Sequence, residues 1–167
     1  MIDGSAVERV TEYKYLGTIL DNKLNFDANT ASINKKCQSR IYCLQKLRKL
    51  NVNCTILQNF YRAFLESILT FGFICWFGSI SVHNREILNR IVKVSSKIVG
   101  RRQIGLQELY ECRVKEKARR MYEDECHSLA RYFDLMPSGR RFRAPKCNTN
   151  RYRKTFVPQA ISMLNRS

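Results

Sequence analysis

The sequence predicts a mainly α protein: a helical bundle, preceded by a small N-terminal β-hairpin and followed by a basic C-terminal tail. Three observations carry this. Apolar residues recur at helical spacing through most of the 167 residues. Period-2 alternation at Tyr13 and Tyr15, ending at Gly17, stands near the start. From Pro137 and Gly139 onward the apolar period fails and Arg and Lys dominate. The corresponding boundaries are residues 1–27 for the hairpin, 28–136 for the bundle and 137–167 for the tail.

The hairpin reads Val7, Val10, Tyr13, Tyr15 and Ile19 among charged neighbours, with a kink at Gly17 and a turn at Asp21 and Asn22. A second short strand is expected through Leu24 and Phe26. A lone hairpin is marginal, so it should lean on the helices. The first helix is expected from Asn29 or Thr30, either of which can cap it. Ile33, Cys37, Ile41, Leu44 and Leu47 make its inner stripe. Asn51 and Asn53 break the chain. The second helix starts near Thr55 and carries Leu57, Phe60, Tyr61, Phe64, Leu65, Ile68 and Leu69, so it is expected at the centre of the bundle. Gly72 and Gly78 weaken and end it. Ser81 or Asn84 caps the third helix, with Ile87, Leu88, Ile91, Val94 and Ile98 inward and Gly100 at its end. A fourth helix is expected from Leu106 to Phe133, with Leu109, Cys112, Met121 and Leu129 among its apolar positions. The tail should be irregular until Pro158, then form a short helix through Ile161 and Leu164.

Charge narrows the function classes. Thirty Lys and Arg face 14 Asp and Glu, a formal +16. Such a balance favours a polyanion as partner: RNA, DNA or an RNA–DNA hybrid. The longest apolar run, residues 67–79, is well short of the ~20 that span a bilayer, so no membrane is expected. Seven cysteines without a CxxC pair argue for reduced thiols and a nuclear or cytoplasmic setting. Met1 leads into polar sequence rather than a signal peptide.

Two stretches carry the candidate binding residues. Residues 28–65 hold no acid but include Lys35, Lys36, Arg40, Lys46, Arg48, Lys49 and Arg62. An acid-free basic face tracks phosphates with little sequence preference; an ordinary solvated helix face is the plainer alternative. Residues 140–154 hold Arg140, Arg141, Arg143, Lys146, Arg151, Arg153 and Lys154, interleaved with Phe142 and Tyr152 and followed by Phe156. Cations with aromatics suit single-stranded or hybrid nucleic acid, or a basic tail docking its rings on the bundle. No catalytic residue, metal ligand set or cofactor site is expected. Tyr122-Glu123-Asp124-Glu125 resembles a polymerase turn but lacks paired aspartates. His83 and His127 have no nucleophile pattern around them. Cys112, Cys126, His127 and Cys147 fit no compact zinc spacing.

The order of motifs resembles the C-terminal end of the reverse transcriptase of a non-LTR retrotransposon, LINE-type and jockey/CR1-like. Val10-Thr11-Glu12-Tyr13-Lys14-Tyr15-Leu16-Gly17 is similar to the primer-grip hairpin that closes the palm. Phe60-Tyr61, Glu66-Ser67-Ile68-Leu69-Thr70-Phe71-Gly72 and Trp76 resemble the thumb helices. Leu106-Gln107-Glu108-Leu109-Tyr110 opens the next helical part. Pro137-Ser138-Gly139-Arg140-Arg141 and Asn150-Arg151-Tyr152-Arg153-Lys154-Thr155-Phe156-Val157-Pro158 are similar to the family's tail. The resemblance implies that Tyr13, Tyr15, Leu16 and Gly17 neighbour a primer end. It also implies a catalytically incomplete fragment, because the metal-binding palm motifs have no counterpart here. Residues 35–76 also resemble the segment named after the N-terminus of the eighth AlkB homologue. That name implies association with tRNA methyltransferase or 2-oxoglutarate oxygenase chemistry, yet the two histidines form no HxD iron site. A helical protein-interaction module is the third reading.

Overall fold

The computed structural model describes residues 8–124 and 126–166, so Val7 and Glu125 lie outside the described residues. It is a mainly α fold with a two-stranded antiparallel hairpin at its N-terminal end.

The strands β1 (Glu12–Tyr15) and β2 (Thr18–Asp21) pair with Tyr13 opposite Leu20 and Tyr15 opposite Thr18. Leu16 and Gly17 form the turn, both at positive φ (46° and 87°), the handedness that two-residue hairpins require. The second strand therefore comes earlier than the one expected at Leu24 and Phe26. Those two residues sit instead in left-handed conformations, φ 54° and 60°. The physical reason is Asp21. Its carboxylate accepts from the backbone N–H groups of Lys23, Asn25 and Phe26 at 2.9, 3.1 and 2.6 Å, winding the chain into a tight loop.

The first helix, α1 (Asp27–Lys49), begins two residues before the expected cap. Asn29 and Thr30 are buried in its first turn. Asn29 is a tie rather than a cap: its Oδ1 accepts from the Ile19 N–H at 3.2 Å and fastens β2 to the helix. Ile33, Cys37, Ile41 and Leu44 are buried as one stripe, with Leu47 packed partly against the core.

Asn53 caps α2 (Cys54–Phe60), its side chain accepting from Thr55 N–H at 2.8 Å. The helix continues through a π turn, Tyr61–Glu66, into α3 (Ser67–Leu69). Leu57, Tyr61, Leu65 and Leu69 are all buried at steps of four. In an ideal α-helix each such step drifts by about 40°. The wider π turn rotates less per residue and holds the four on one line. Gly72 at φ 58° then redirects the chain into α4 (Phe73–Trp76). Trp76 is fully buried and its indole N–H donates to the Phe71 carbonyl at 2.8 Å.

Ser81 caps α5 (Val82–Val99), which packs against α1 and ends at Gly100 in the left-handed conformation. Next comes α6 (Leu106–Glu123), ten residues shorter than the expected helix to Phe133. Asp124 adopts an extended conformation and its side chain accepts from Cys126 N–H at 3.1 Å. That local bond competes with the helix ladder and ends it. The chain then makes a single 3-10 turn at Ala130–Tyr132 and buries Phe133.

The tail holds more order than its composition suggests. Phe142 bridges back to Leu135 and stacks edge-on with Tyr122 and Phe133. A short α7 (Asn150–Arg153) precedes α8 (Phe156–Leu164), which packs on α6. Pro158 is accommodated in the first turn of α8, where no N–H is needed. Ala160 and Ile161 join the same buried cluster as Phe26 and Leu57.

Candidate nucleic-acid interface

The basic residues of α1 divide between two faces. At about 100° per residue, Lys35, Lys46 and Lys49 fall within about 60° of one line, with Tyr42 among them. All four are exposed. The Lys46 ammonium lies 5.2 Å from the Tyr42 ring centroid. Lys36 and Arg40 stand about 100–140° round the helix. Lys36 lines a cleft of about 320 Å³ together with Gly17, Thr18, Asn29, Ser67 and Phe71. Arg48 and Arg62 are exposed.

That cleft is where the hairpin meets the helices. A Cβ at Gly17 would sit 3.1 Å from the Phe71 ring, so the turn and the ring are in close contact. Tyr13, Tyr15 and Leu16 are 60%, 57% and 76% exposed, so three of the four primer-grip-like residues offer free apolar surface while Gly17 abuts Phe71. The Asn29 Nδ2, buried at the same junction, has no hydrogen-bond partner among the described residues.

The tail cations diverge. Arg140, Arg141 and Arg143 flank the docked Phe142 and are exposed. Arg151 and Lys154 line a cleft of about 370 Å³ with Leu24, Ile74 and Cys75. Arg153 lies instead along a different hollow, with Pro145 and Pro158. Of the interleaved aromatics, Phe142 is used in packing, Phe156 is half-buried and Tyr152 is exposed.

Two cations escaped the sequence reading. Arg113 and Lys117 of α6 line a cleft of about 500 Å³ with Phe73, Ile74, Met121 and Phe156. Arg113 Nη1 donates to the Thr70 carbonyl at 3.3 Å. In sequence these two are hidden among Glu108, Glu111 and Glu116.

The shifted acid–base groups reflect structure. Partial burial pushes the Asp21 carboxyl up, but the N–H groups of Asn25, Phe26 and Lys23 outweigh it and hold it below 3.8. Burial pushes the Cys37 thiol up to about 12, with Lys36 pulling the other way. Burial also raises Tyr61, with Glu66 and Cys37 adding to it. Tyr110 rises to about 12, chiefly by burial, and its hydroxyl donates to Gln159 Oε1 at 2.9 Å. His127 Nδ1 accepts from Leu129 N–H at 3.1 Å within a turn. Among the described residues no three His, Cys, Asp or Glu side chains converge as a metal site. No described helix is long and apolar enough to cross a membrane.

Residues 26–67 match the family described as alkylated DNA repair protein alkB homolog 8, N-terminal. The match covers about a quarter of the chain. It takes in α1, α2 and the π turn, and lies nine residues nearer the N-terminus than the segment singled out in the sequence. No curated protein matches the chain, and no solved structure does. None of these findings bears on the reverse-transcriptase resemblance.

Proposed function

We propose that this chain is a helical nucleic-acid-binding module that serves a catalytic unit rather than performing chemistry itself. The observation that carries this is the outer line of α1. Lys35, Lys46 and Lys49 project around the exposed Tyr42, on a stretch of 38 residues (28–65) without a carboxylate. Phosphates are held there by charge, so affinity is sequence-tolerant and falls with salt.

Two settings for the module each have a supporting observation. The match over residues 26–67 favours a segment of the AlkB homologue 8 N-terminal type, attached to a nucleic-acid-modifying protein. The hairpin favours a catalytically incomplete piece of a retrotransposon reverse transcriptase: Tyr13, Tyr15 and Leu16 are exposed where such a hairpin faces a primer, and Gly17 abuts Phe71 at the end of the helix. The two settings differ in what they ask of the hairpin, because the matched segment begins after it.

The test is binding of labelled single-stranded RNA, duplex DNA and RNA–DNA hybrid across a salt series. The comparison chains are Lys35→Glu/Lys46→Glu/Lys49→Glu and Tyr13→Ala/Tyr15→Ala. Binding should weaken steeply with salt and at least tenfold in the lysine variant. A folded chain that binds none of the three at low salt would overturn the reading and leave a protein-interaction module. Loss of hybrid binding in the tyrosine variant would favour the polymerase setting; unchanged binding would favour the AlkB-type one.

A further inference from the structure

The two clefts on either side of Phe156 adjoin and together make a trough. Both are lined by Ile74, Cys75 and Phe156, so they meet along that line. Arg151 of α7 and Lys154 just after it stand over one half, and Arg113 and Lys117 of α6 over the other. Among the described residues the lining of the whole trough includes four cations and no carboxylate. The walls of the half under α6 are apolar, with Phe73, Ile74, Met121, Leu129 and Phe156 contributing, whereas the other half mixes Leu24 and Phe26 with Asn25, Ser79 and Thr155.

The charge pattern of α6 makes this more than a basic surface. Arg113, Lys117 and Met121, at steps of four, face the trough. Another side of the same helix carries Cys112, Lys115, Glu116, Arg119, Arg120 and Glu123, with Glu116 paired to Arg120. An ordinary solvated face is mixed in sign, as that side is. The trough side presents Arg113 and Lys117 with no carboxylate among the described residues. Arg113 is also held in place there by the Thr70 carbonyl.

We propose that this trough is a second binding site, which takes a short single-stranded stretch of RNA or DNA. Phosphates lie on Arg113, Lys117, Arg151 and Lys154, and bases lie against Ile74, Met121 and Phe156. The apolar floor selects the single strand. A duplex keeps its bases stacked inside and presents mainly phosphates, whereas an unpaired strand offers flat apolar faces to such a wall. The inference rests on the nucleic-acid reading but uses none of the α1 residues that carry it.

Cys75 supplies a local readout, because its exposed thiol lies in the trough, whereas the exposed Cys112 lines the other side of α6. The experiment measures maleimide labelling of each thiol with and without a saturating uridine or thymidine 12-mer. Affinities are measured in parallel for wild type, Arg151→Glu/Lys154→Glu, Arg113→Gln/Lys117→Gln and the α1 triple variant. We expect at least tenfold slower labelling of Cys75 and unchanged labelling of Cys112. Each double variant should weaken 12-mer binding about tenfold and lower the salt slope by about 1.4, two phosphate contacts at ~0.7 each for a single strand. Circular dichroism checks that each variant folds, and the Arg151/Lys154 pair, being exposed, keeps the test open if the α6 pair fails to fold. Retained 12-mer binding with Cys75 unprotected, and loss only in the α1 variant, would overturn the trough and leave the wider reading standing. Protection of Cys75 by polyglutamate as strong as by the 12-mer would overturn it in favour of an acidic protein partner. No binding of any strand to the folded chain overturns both.

Discussion

Replacing Asp21 with Asn removes the charge of the side chain that closes the loop between the hairpin and α1 while keeping its size. In the folded chain Oδ1 accepts from Lys23 and Asn25, and Oδ2 accepts from Phe26 at 2.6 Å, the shortest of the three. An amide can retain the first pair but turns a donor toward the Phe26 N–H. Hydrogen bonds to a charged acceptor contribute about 1.5–3 kcal/mol when well shielded. Asp21 is only half-buried, so water screens the effect, and about 1.5 kcal/mol is the expected loss. For a chain of this size that corresponds to a fall in Tm of roughly 3–6 °C. The pH dependence has a definite sign. The folded carboxyl titrates below 3.8, so its contribution is complete above that value. It is lost as pH falls through the lower folded value. Urea unfolding followed by circular dichroism, at steps from about pH 7 to about pH 2.5, should show the gap between wild type and variant closing at the acid end. A gap of constant size across the range, or none at pH 7, would refute the assignment of the loop to the Asp21 carboxylate.

Gly78 tests the junction of α4, α6 and α8: a Cβ there would come within 2.6 Å of Tyr110 Oη and 2.7 Å of Gln159 Nε2. The Tyr110 ring packs against both Phe73 and Phe77, which limits how far it can shift, so Gly78→Ala should cost about 2–3 kcal/mol by overpacking and the lost Tyr110–Gln159 bond, read as a lower urea midpoint at unchanged slope. Cys37, buried with its thiol pushed up to about 12, should resist alkylation at pH 8 until urea unfolds the chain, whereas the exposed Cys75, Cys112 and Cys126 should react at once; mass spectrometry of the labelled peptides decides this.

The inner stripe of α1, the Ser81 cap and the Gly100 stop were legible because each is a local rule of spacing or backbone chemistry. The misplaced boundaries fall where one side chain chose among local partners. Asn29 is a good cap by type, but it is committed to Ile19 across the chain, and no local pattern reveals that. Leu129 and Phe133 prolong the helical period past Asp124, yet the Asp124 carboxylate bonds Cys126 and ends the helix. The π turn is invisible in composition, although the four-residue spacing of Leu57, Tyr61, Leu65 and Leu69 hints at it. The α1 cations could be found because no acid interrupts them. Their division between two faces needs only the helical angle. Arg113 and Lys117 could not be found, because it takes the folded helix to separate them from the glutamates between which they are written.

Among the described residues the one ion pair joins Arg120 to Glu116, and both side chains are largely exposed, so it contributes little. A chain with a formal +16 therefore folds with most of its positive charge unanswered from within. Compaction draws like charges together, and that self-repulsion opposes the native state. Any polyanion that settles on the folded surface relieves it and raises the apparent stability by mass action. The surrounding electrolyte is thus a silent component of this fold. Sparse salt exposes the repulsion, and counter-ions supply the charge that the sequence omits.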